Sequence, residues 1–332
     1  MRFGYGLITC QRHPDDARSD VDLYREALEL AEEAEAWGFD SVWTSEHHFQ
    51  DDAYMPSVLP LSAAIAARTT RIHIGVGVAL APFYDPIRLA EDAATVDLIS
   101  EGRFILGLGL GWLDWEFEAF GQSRRDRVPR TESLISVCRQ AWGHGLLEQT
   151  GVQVTPKPAQ AGGPPIWIGA TAEPAVRRAG KLADGFMASE PTPTAFAEQV
   201  GWVNKERSVS ESSPFEMSGY WPVFVSEDDH AWERVRPYLH YMEWKYQDSE
   251  QSRGRLGPLP HAPALDPETE VALRSASVFG TPEQVVGQIR GLADIAGNDF
   301  TFVGRFYYPG MDRDVMRESA RLFAEEVIPA CR

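Results

Sequence analysis

Residues 71–110 read RIHIGVGVAL APFYDPIRLA EDAATVDLIS EGRFILGLGL, and their pattern changes period twice. From Arg71 to Ala79, Ile72, Ile74, Val76 and Val78 fall on one face while His73, Gly75 and Gly77 fall on the other, the period of a strand. Pro86 to Ile99 then reads as a helix with proline in its first turn, where the missing N–H costs little. Phe104 to Leu110 is again a short apolar run. Two apolar strands joined by a helix form a β-α-β unit, whose strands lie parallel and are buried on both faces.

The same unit recurs on either side. Upstream, Phe3–Ile8 and Phe39–Thr44 read as strands. Val21–Trp37, stopped by Gly38, and Ser57–Arg68 read as helices. Downstream, Arg130–Trp142 is a helix. Pro165–Gly169, Gly185–Ala188, Met217–Val225 and Phe300–Gly304 are strands. The helices among them are Pro174–Leu182, Thr194–Val209 and Thr281–Ala296, and Asp312–Ile328 closes the chain. Eight strands alternating with helices predict an α/β fold, a (β/α)8 TIM barrel spanning residues 1–332 with insertions at the C-terminal mouth. Two segments break the alternation. Residues 146–163 carry Thr155-Pro156-Lys157-Pro158. Residues 227–273 are aromatic at first, with Trp232, Tyr238, Tyr241, Trp244 and Tyr246, then rich in proline and glycine. Loops this long are usually lids or binding loops; the alternative for Trp232 to Tyr246 is an ordinary amphipathic helix.

Composition narrows the function. The chain of 332 residues has 31 Lys and Arg against 49 Asp and Glu, a formal net charge of −18. That excess repels phosphate backbones and anionic lipid and argues against nucleic acid or a membrane surface as partner. Cys10, Cys138 and Cys331 stand in no paired spacing, which predicts neither a disulfide framework nor a metal site and suits a reduced, cytoplasmic chain. The N-terminus reads as a first strand, not as a signal peptide.

Three groups of residues carry candidate chemistry. Glu46-His47-His48-Phe49 lies just past the second strand, at the mouth where barrel enzymes build their sites. Its histidines offer proton donors and acceptors; the plain alternative is a hydrogen-bonded loop. Gly75 and Gly77, then Gly107, Gly109 and Gly111, interrupt strands, where glycine marks the close approach of a ligand or of neighbouring backbone. Gly169-Ala170-Thr171-Ala172-Glu173-Pro174 joins a strand to a helix whose free amides suit a phosphate. Glu173 opposes an anion there unless its carboxylate points away.

Taken together these residues resemble the bacterial-luciferase-like flavin oxidoreductases. Gly38-Phe39-Asp40-Ser41-Val42-Trp43 leading into Glu46-His47-His48-Phe49 is similar to the family's second-strand signature. So are the run from Arg71 through Pro82, Pro86, Arg88, Ala90-Glu91-Asp92, Asp97 and Gly102-Arg103-Phe104 to Gly111-Trp112, the run Pro165 to Gly169 with Arg178 and Asp184-Gly185-Phe186, and Gly280 to Val285. The resemblance implies reduced FMN at the mouth, with His47 beside it and His48 next to that, and a non-proline cis peptide under the flavin ring, here Gly77–Val78. It departs from luciferase at Leu110, where that enzyme has a phosphate-binding arginine. Phosphate binding then falls to the helix start at Gly169, Ala170, Thr171, Ala172 and Glu173, with Arg127 and Arg130 as second candidates; Gly77, Val78 and Gly109 would face the ring.

The resemblance also implies a two-component monooxygenase: reduced FMN from a separate flavin reductase, oxygen, and a small organic substrate. Phe83, Tyr84, Trp112 and Trp115 suggest an apolar or aromatic guest. A deazaflavin-dependent hydride-transfer enzyme on the same scaffold is the alternative, and a flavin-binding module without turnover is a third reading. A homodimer is compatible with the sequence.

Overall fold

The computed structural model describes residues 1–207, 214–297 and 299–332. Its ten strands are β1 (Arg2–Ile8), β2 (Ser41–Thr44), β3 (His73–Val76), β4 (Ala79–Leu80), β5 (Phe104–Gly109), β6 (Ile166–Gly169), β7 (Gly185–Ser189), β8 (Glu216–Val225), β9 (Val278–Gly280) and β10 (Phe300–Arg305). Eight of them follow one another in the order β1-β2-β3-β5-β6-β7-β8-β10, all parallel, and β10 pairs with β1 to close the barrel. The predicted fold class is the observed one. Helices Asp20–Trp37, Val58–Arg68, Pro86–Ile99, Arg127–Trp142, Glu173–Leu182, Pro193–Arg207 and Pro282–Ala296 run outside it. The end predicted at Val209 lies outside the described residues.

Local chemistry sets the element ends. Ser19 and Asp22 form a reciprocal capping box at the start of Asp20–Trp37, which ends on Gly38 at φ 91°. Asp85 accepts from the amides of Ile87 and Arg88, and Pro86 takes the first helical position. At the N-terminal end of the barrel, side chains finish the strand ladders. The Phe3 amide donates to Asp40 Oδ2 (2.8 Å) and the Ile166 amide to Asp184 Oδ2 (2.8 Å). Arg103 donates to the carbonyls of Ala66, Thr69, Ile72 and Ser100. The motif residues Asp40, Arg103 and Asp184 therefore hold the fold together at the end remote from the mouth, where barrel residues serve stability.

Two cores result. The larger fills the space between sheet and helices and includes Phe3, Tyr5, Leu30, Ile65, Leu89, Phe104, Phe302 and Phe323. A smaller one plugs the barrel interior with Leu7, Trp43, Trp167, Met187 and Val303. The strand glycines serve this interior first. A Cβ on Gly75 would stand 2.3 Å from the Trp43 ring, and one on Gly107 would stand 1.8 Å from the Val76 carbonyl oxygen. Close backbone approach explains these two without a ligand.

The structure corrects two expectations. The third strand is not continuous. Its ladder stops at Val76, the Gly77–Val78 peptide is cis as the resemblance implied, and pairing with β5 resumes at Ala79. The alternation is reset there, so Val78 leaves the face of Ile74 and Val76. A second non-proline cis bond, Gly6–Leu7, had no counterpart in the reading. The segment 146–163 is not at the mouth. It connects a helix to the start of β6, and Gln160 ties it to Asp97 (2.7 Å) and to the Phe104 carbonyl (2.9 Å) at the far end. The segment 227–273 does lie at the mouth. It contains the 18-residue helix Ala231–Asp248 and the helix Pro267–Ser275. Among the described residues, no helix is long and apolar enough to cross a membrane.

Candidate active site

A cavity of about 1100 Å³ opens where the barrel strands end. Its floor is the top of the interior plug, Leu7 and Met187. One wall comes from β3, β5, β6 and the turns after them: Gly77, Val78, Gly109, Gly111, Trp112 and Gly169 to Ala172. The opposite wall comes from β7, β8 and β10 and carries Ser189, Glu190, Tyr220 and Arg305. Leu239, Met242, Glu243, Tyr246 and Gln247 of the helix Ala231–Asp248 form the roof. The aromatic segment is thus both things expected of it: Trp232 and Tyr241 are buried in packing, while its other face covers the cavity.

His47 lines the cavity and His48 does not. Nδ1 of His47 lies 3.2 Å from Oε1 of Glu116, a fully buried carboxylate on the short helix Asp114–Ala119. A carboxylate can only accept, so Nδ1 carries the proton. Nε2, on the far side of the ring, is left for a ligand. The rings of Tyr54 and Tyr246 pack on the imidazole at 5.0 and 5.5 Å. His48 is turned away among Phe49, Phe83 and Phe120. Its Nε2 lies 3.0 Å from Glu46, and its amide donates to Glu116 (2.9 Å). Glu46 also accepts from Tyr84 (2.5 Å) and from the Leu80 amide (3.2 Å). In Glu46-His47-His48, then, Glu46 and His47 both line the cavity, Glu46 with its carboxylate engaged by Tyr84, His48 and the Leu80 amide, while His48 belongs to the frame. Of the four expected aromatics, Trp112 reaches the cavity, while Phe83, Tyr84 and Trp115 do not line it.

The β5–β6 wall suits a flat ligand ending in an anion. A Cβ on Gly109 would meet Val78 Cγ2 at 2.4 Å, and one on Gly169 would meet Val78 Cγ1 at 2.6 Å. These glycines seat Val78, which shapes that wall. Beyond them Ala172 caps the helix Glu173–Leu182, and the amides of Thr171, Ala172 and Glu173 have no hydrogen-bond partner among the described residues. Glu173 turns its carboxylate outward onto Arg177 (2.7 Å). Arg127 lines the cavity, with one guanidinium nitrogen on the Gly111 carbonyl (2.9 Å), and Arg124 stands beside it. Burial holds the Arg127 guanidinium below its ordinary value, and the like charges of Arg124 and Arg178 add to this. In a chain of net charge −18, Arg124 and Arg127 line the same cavity as these open amides, although Arg124 is also paired with Asp114 (2.9 Å); Arg178, paired with Glu132 (2.8 Å), does not line it. Arg130 does not line it either; its Nε is on the Pro82 carbonyl (3.0 Å).

Sequence reading missed Glu116, Glu190 and Arg305. Glu116 meets His47 across 69 residues, and Arg305 meets Glu190 across 115. One signal was available for Arg305: it follows directly on the predicted strand Phe300–Gly304, at the mouth.

A closed parallel barrel with a glycine-walled cleft and a carboxylate-held histidine at its mouth fits a flavin-dependent oxidoreductase of the luciferase-like type. The sequence comparisons agree, and the chain belongs to the family: the model described as luciferase-like monooxygenase matches residues 1–299. The oxygenase component of a flavin-dependent trigonelline monooxygenase from Acinetobacter baylyi is 26% identical, over 99% of this chain and 95% of that one. An F420-dependent glucose-6-phosphate dehydrogenase from Amycolatopsis mediterranei is 29% identical, over 93% and 95%. The crystal structure of a monooxygenase from Streptomyces bottropensis superposes with a TM-score of 0.84 at 26% identity, covering 99% of both chains.

Proposed function

We propose that this protein is the oxygenase component of a two-component monooxygenase that takes reduced FMN from a separate flavin reductase. The observation that carries the reading is the placement of His47, which presents Nε2 to the same cavity that the glycine wall and the helix start at Ala172 line. Reduced flavin, when bound, supplies the electrons with which oxygen is split between the substrate and water. Val78, Gly109 and Gly169 would take its ring, and the amides of Thr171 to Glu173 with Arg127 its phosphate. The protein's own part is to orient, to exclude water and to manage a proton. His47 holds or gives that proton at Nε2 while Glu116 fixes the ring and balances the imidazolium charge. The roof helix covers part of the cavity, and its Leu239 and Met242 offer an apolar surface to an organic substrate.

The relative that uses F420 favours a second reading, in which a deazaflavin occupies the same wall and hydride transfer replaces oxygenation. Titration separates the two. The proposal expects FMN to bind and, once reduced, to consume oxygen with product formed. Binding of deazaflavin at concentrations where neither redox form of FMN binds would overturn it.

A further inference from the structure

The wall opposite the helix start at Thr171 to Glu173 contains a charged group with few partners. Arg305 ends β10, four strands around the barrel from β5, so it faces the Arg127 wall from across the cavity. It is 8% exposed. A guanidinium carries five donors, but the contact from Nη1 to Glu190 spans 3.4 Å, and Nε is buried with no hydrogen-bond partner among the described residues. A buried arginine with so little engaged is either a standing penalty or a receptor. Its surroundings favour the receptor: Met187, Pro222, Leu239 and Met242 line the same space, apolar neighbours for the body of an organic molecule.

We propose that Arg305 and Glu190 form a substrate subsite for an organic carboxylate, in which the ligand's carboxylate replaces that of Glu190 on the guanidinium. This deepens the oxygenase reading and rests on it. The ligand is singly charged and planar at its anionic end, because a planar two-oxygen anion matches the guanidinium fork. A dianionic phosphate is disfavoured, since Glu190 and Glu243 both line this end.

Protonation of Glu190 makes the exchange possible. Burial pushes its carboxyl up to about 7. Arg305 pulls it down, and Glu243 pushes it further up. Tyr54, Tyr220, Tyr246 and Tyr308 are the other titratable groups coupled to the pair. Tyr220 is engaged with Ser189 at 2.5 Å and Tyr308 with the Val223 carbonyl at 3.0 Å. His47 stands beyond Tyr54 and Tyr246. Below neutrality a neutral Glu190 leaves Arg305 to the ligand. Above it the Glu190 carboxylate competes.

The test uses the FMN-loaded protein with benzoate and its neutral isostere benzamide, read by quenching of tryptophan emission. Benzoate should bind about 10- to 100-fold tighter than benzamide, the worth of one charged hydrogen-bonded contact. Its affinity should fall as pH rises through about 7, and Glu190→Gln should flatten that fall. Arg305→Ala should erase the preference while FMN affinity stays within about twofold. If that variant does not fold, the wild-type comparison still decides. Equal binding of the two probes, or a preference that survives Arg305→Ala, would overturn the subsite. The same titration without FMN separates the two ideas: benzoate preference in a protein that refuses FMN would retire the oxygenase reading and keep the subsite.

Discussion

The two walls of the cavity are built from different materials. The β3–β5–β6 wall is mostly backbone: strand glycines, a peptide turned at Gly77–Val78, and the open amides at Thr171 to Glu173. The β7–β10 wall and the roof are side chains, many of them charged and partly or wholly buried: Glu190, Arg305 and, behind the roof helix, Lys245 held between Asp51 (2.6 Å) and Asp248 (3.2 Å). A backbone wall can recognise features that cofactors share, a flat ring and a phosphate. A side-chain wall changes its preference with a single substitution. This division suits a family whose members share a flavin-type site and differ in substrate. His47 stands between the two walls, and removing it gives the largest expected effect. His47→Ala should fold normally and lose about 10²- to 10⁴-fold in oxygenation rate, the range for an acid–base group. Single-turnover oxygenation with chemically reduced FMN measures it, and an unchanged rate would remove His47 from the chemistry.

The contrast between the walls also explains what the sequence made legible. Parallel strands buried on both faces read as apolar runs, so the barrel was visible. The backbone wall was visible because its signals are local: a glycine in a strand, or a proline early in a helix after small residues. Gly77, Gly109 and Gly169 to Ala172, all of which line the cavity, carry such signals; Val78 came only with the family resemblance. His48 and Arg130 came in with their neighbours, and only packing shows that one faces Phe120 and the other holds the Pro82 carbonyl. The side-chain wall was not visible. Glu116, Glu190 and Lys245 look like surface charges in a chain with 49 acids. What singles them out is burial against partners far away in sequence.

Two further substitutions sharpen the contrast. Lys245 is 1% exposed and joins the roof helix to the loop after His47 through Asp51. Lys245→Met would leave two buried carboxylates with only Arg255 between them, and should cost about 3 kcal/mol or more in chemical denaturation. A loss below about 1 kcal/mol would mean that the roof is held by its apolar contacts instead.

Glu190 gives the next effect. Its carboxyl is raised from an ordinary 4.5 to about 7, so between those values the folded state binds the extra proton. Stability is therefore highest below about pH 4.5 as far as this group is concerned, falls as pH rises toward 7, and is level above that. At roughly 1.4 kcal/mol per unit the loss is at most a few kcal/mol. Glu190→Gln should remove this component, so the variant should gain in relative Tm between about pH 5 and about pH 8. A difference that does not change with pH would show that Glu190 is ionised throughout.

The central claim, that the backbone wall holds FMN by its phosphate, is tested most directly at Ala172. Aspartate is a favoured residue at a helix N-cap, so Ala172→Asp should preserve or improve folding while its carboxylate takes the open amides of the helix start. Binding of FMN and of riboflavin, which has the same ring and no phosphate, is measured for both proteins by titration. FMN affinity should fall about 10-fold or more in the variant while riboflavin affinity stays the same. If the substitution leaves FMN binding unchanged, or weakens both ligands equally, the phosphate does not sit at this helix start.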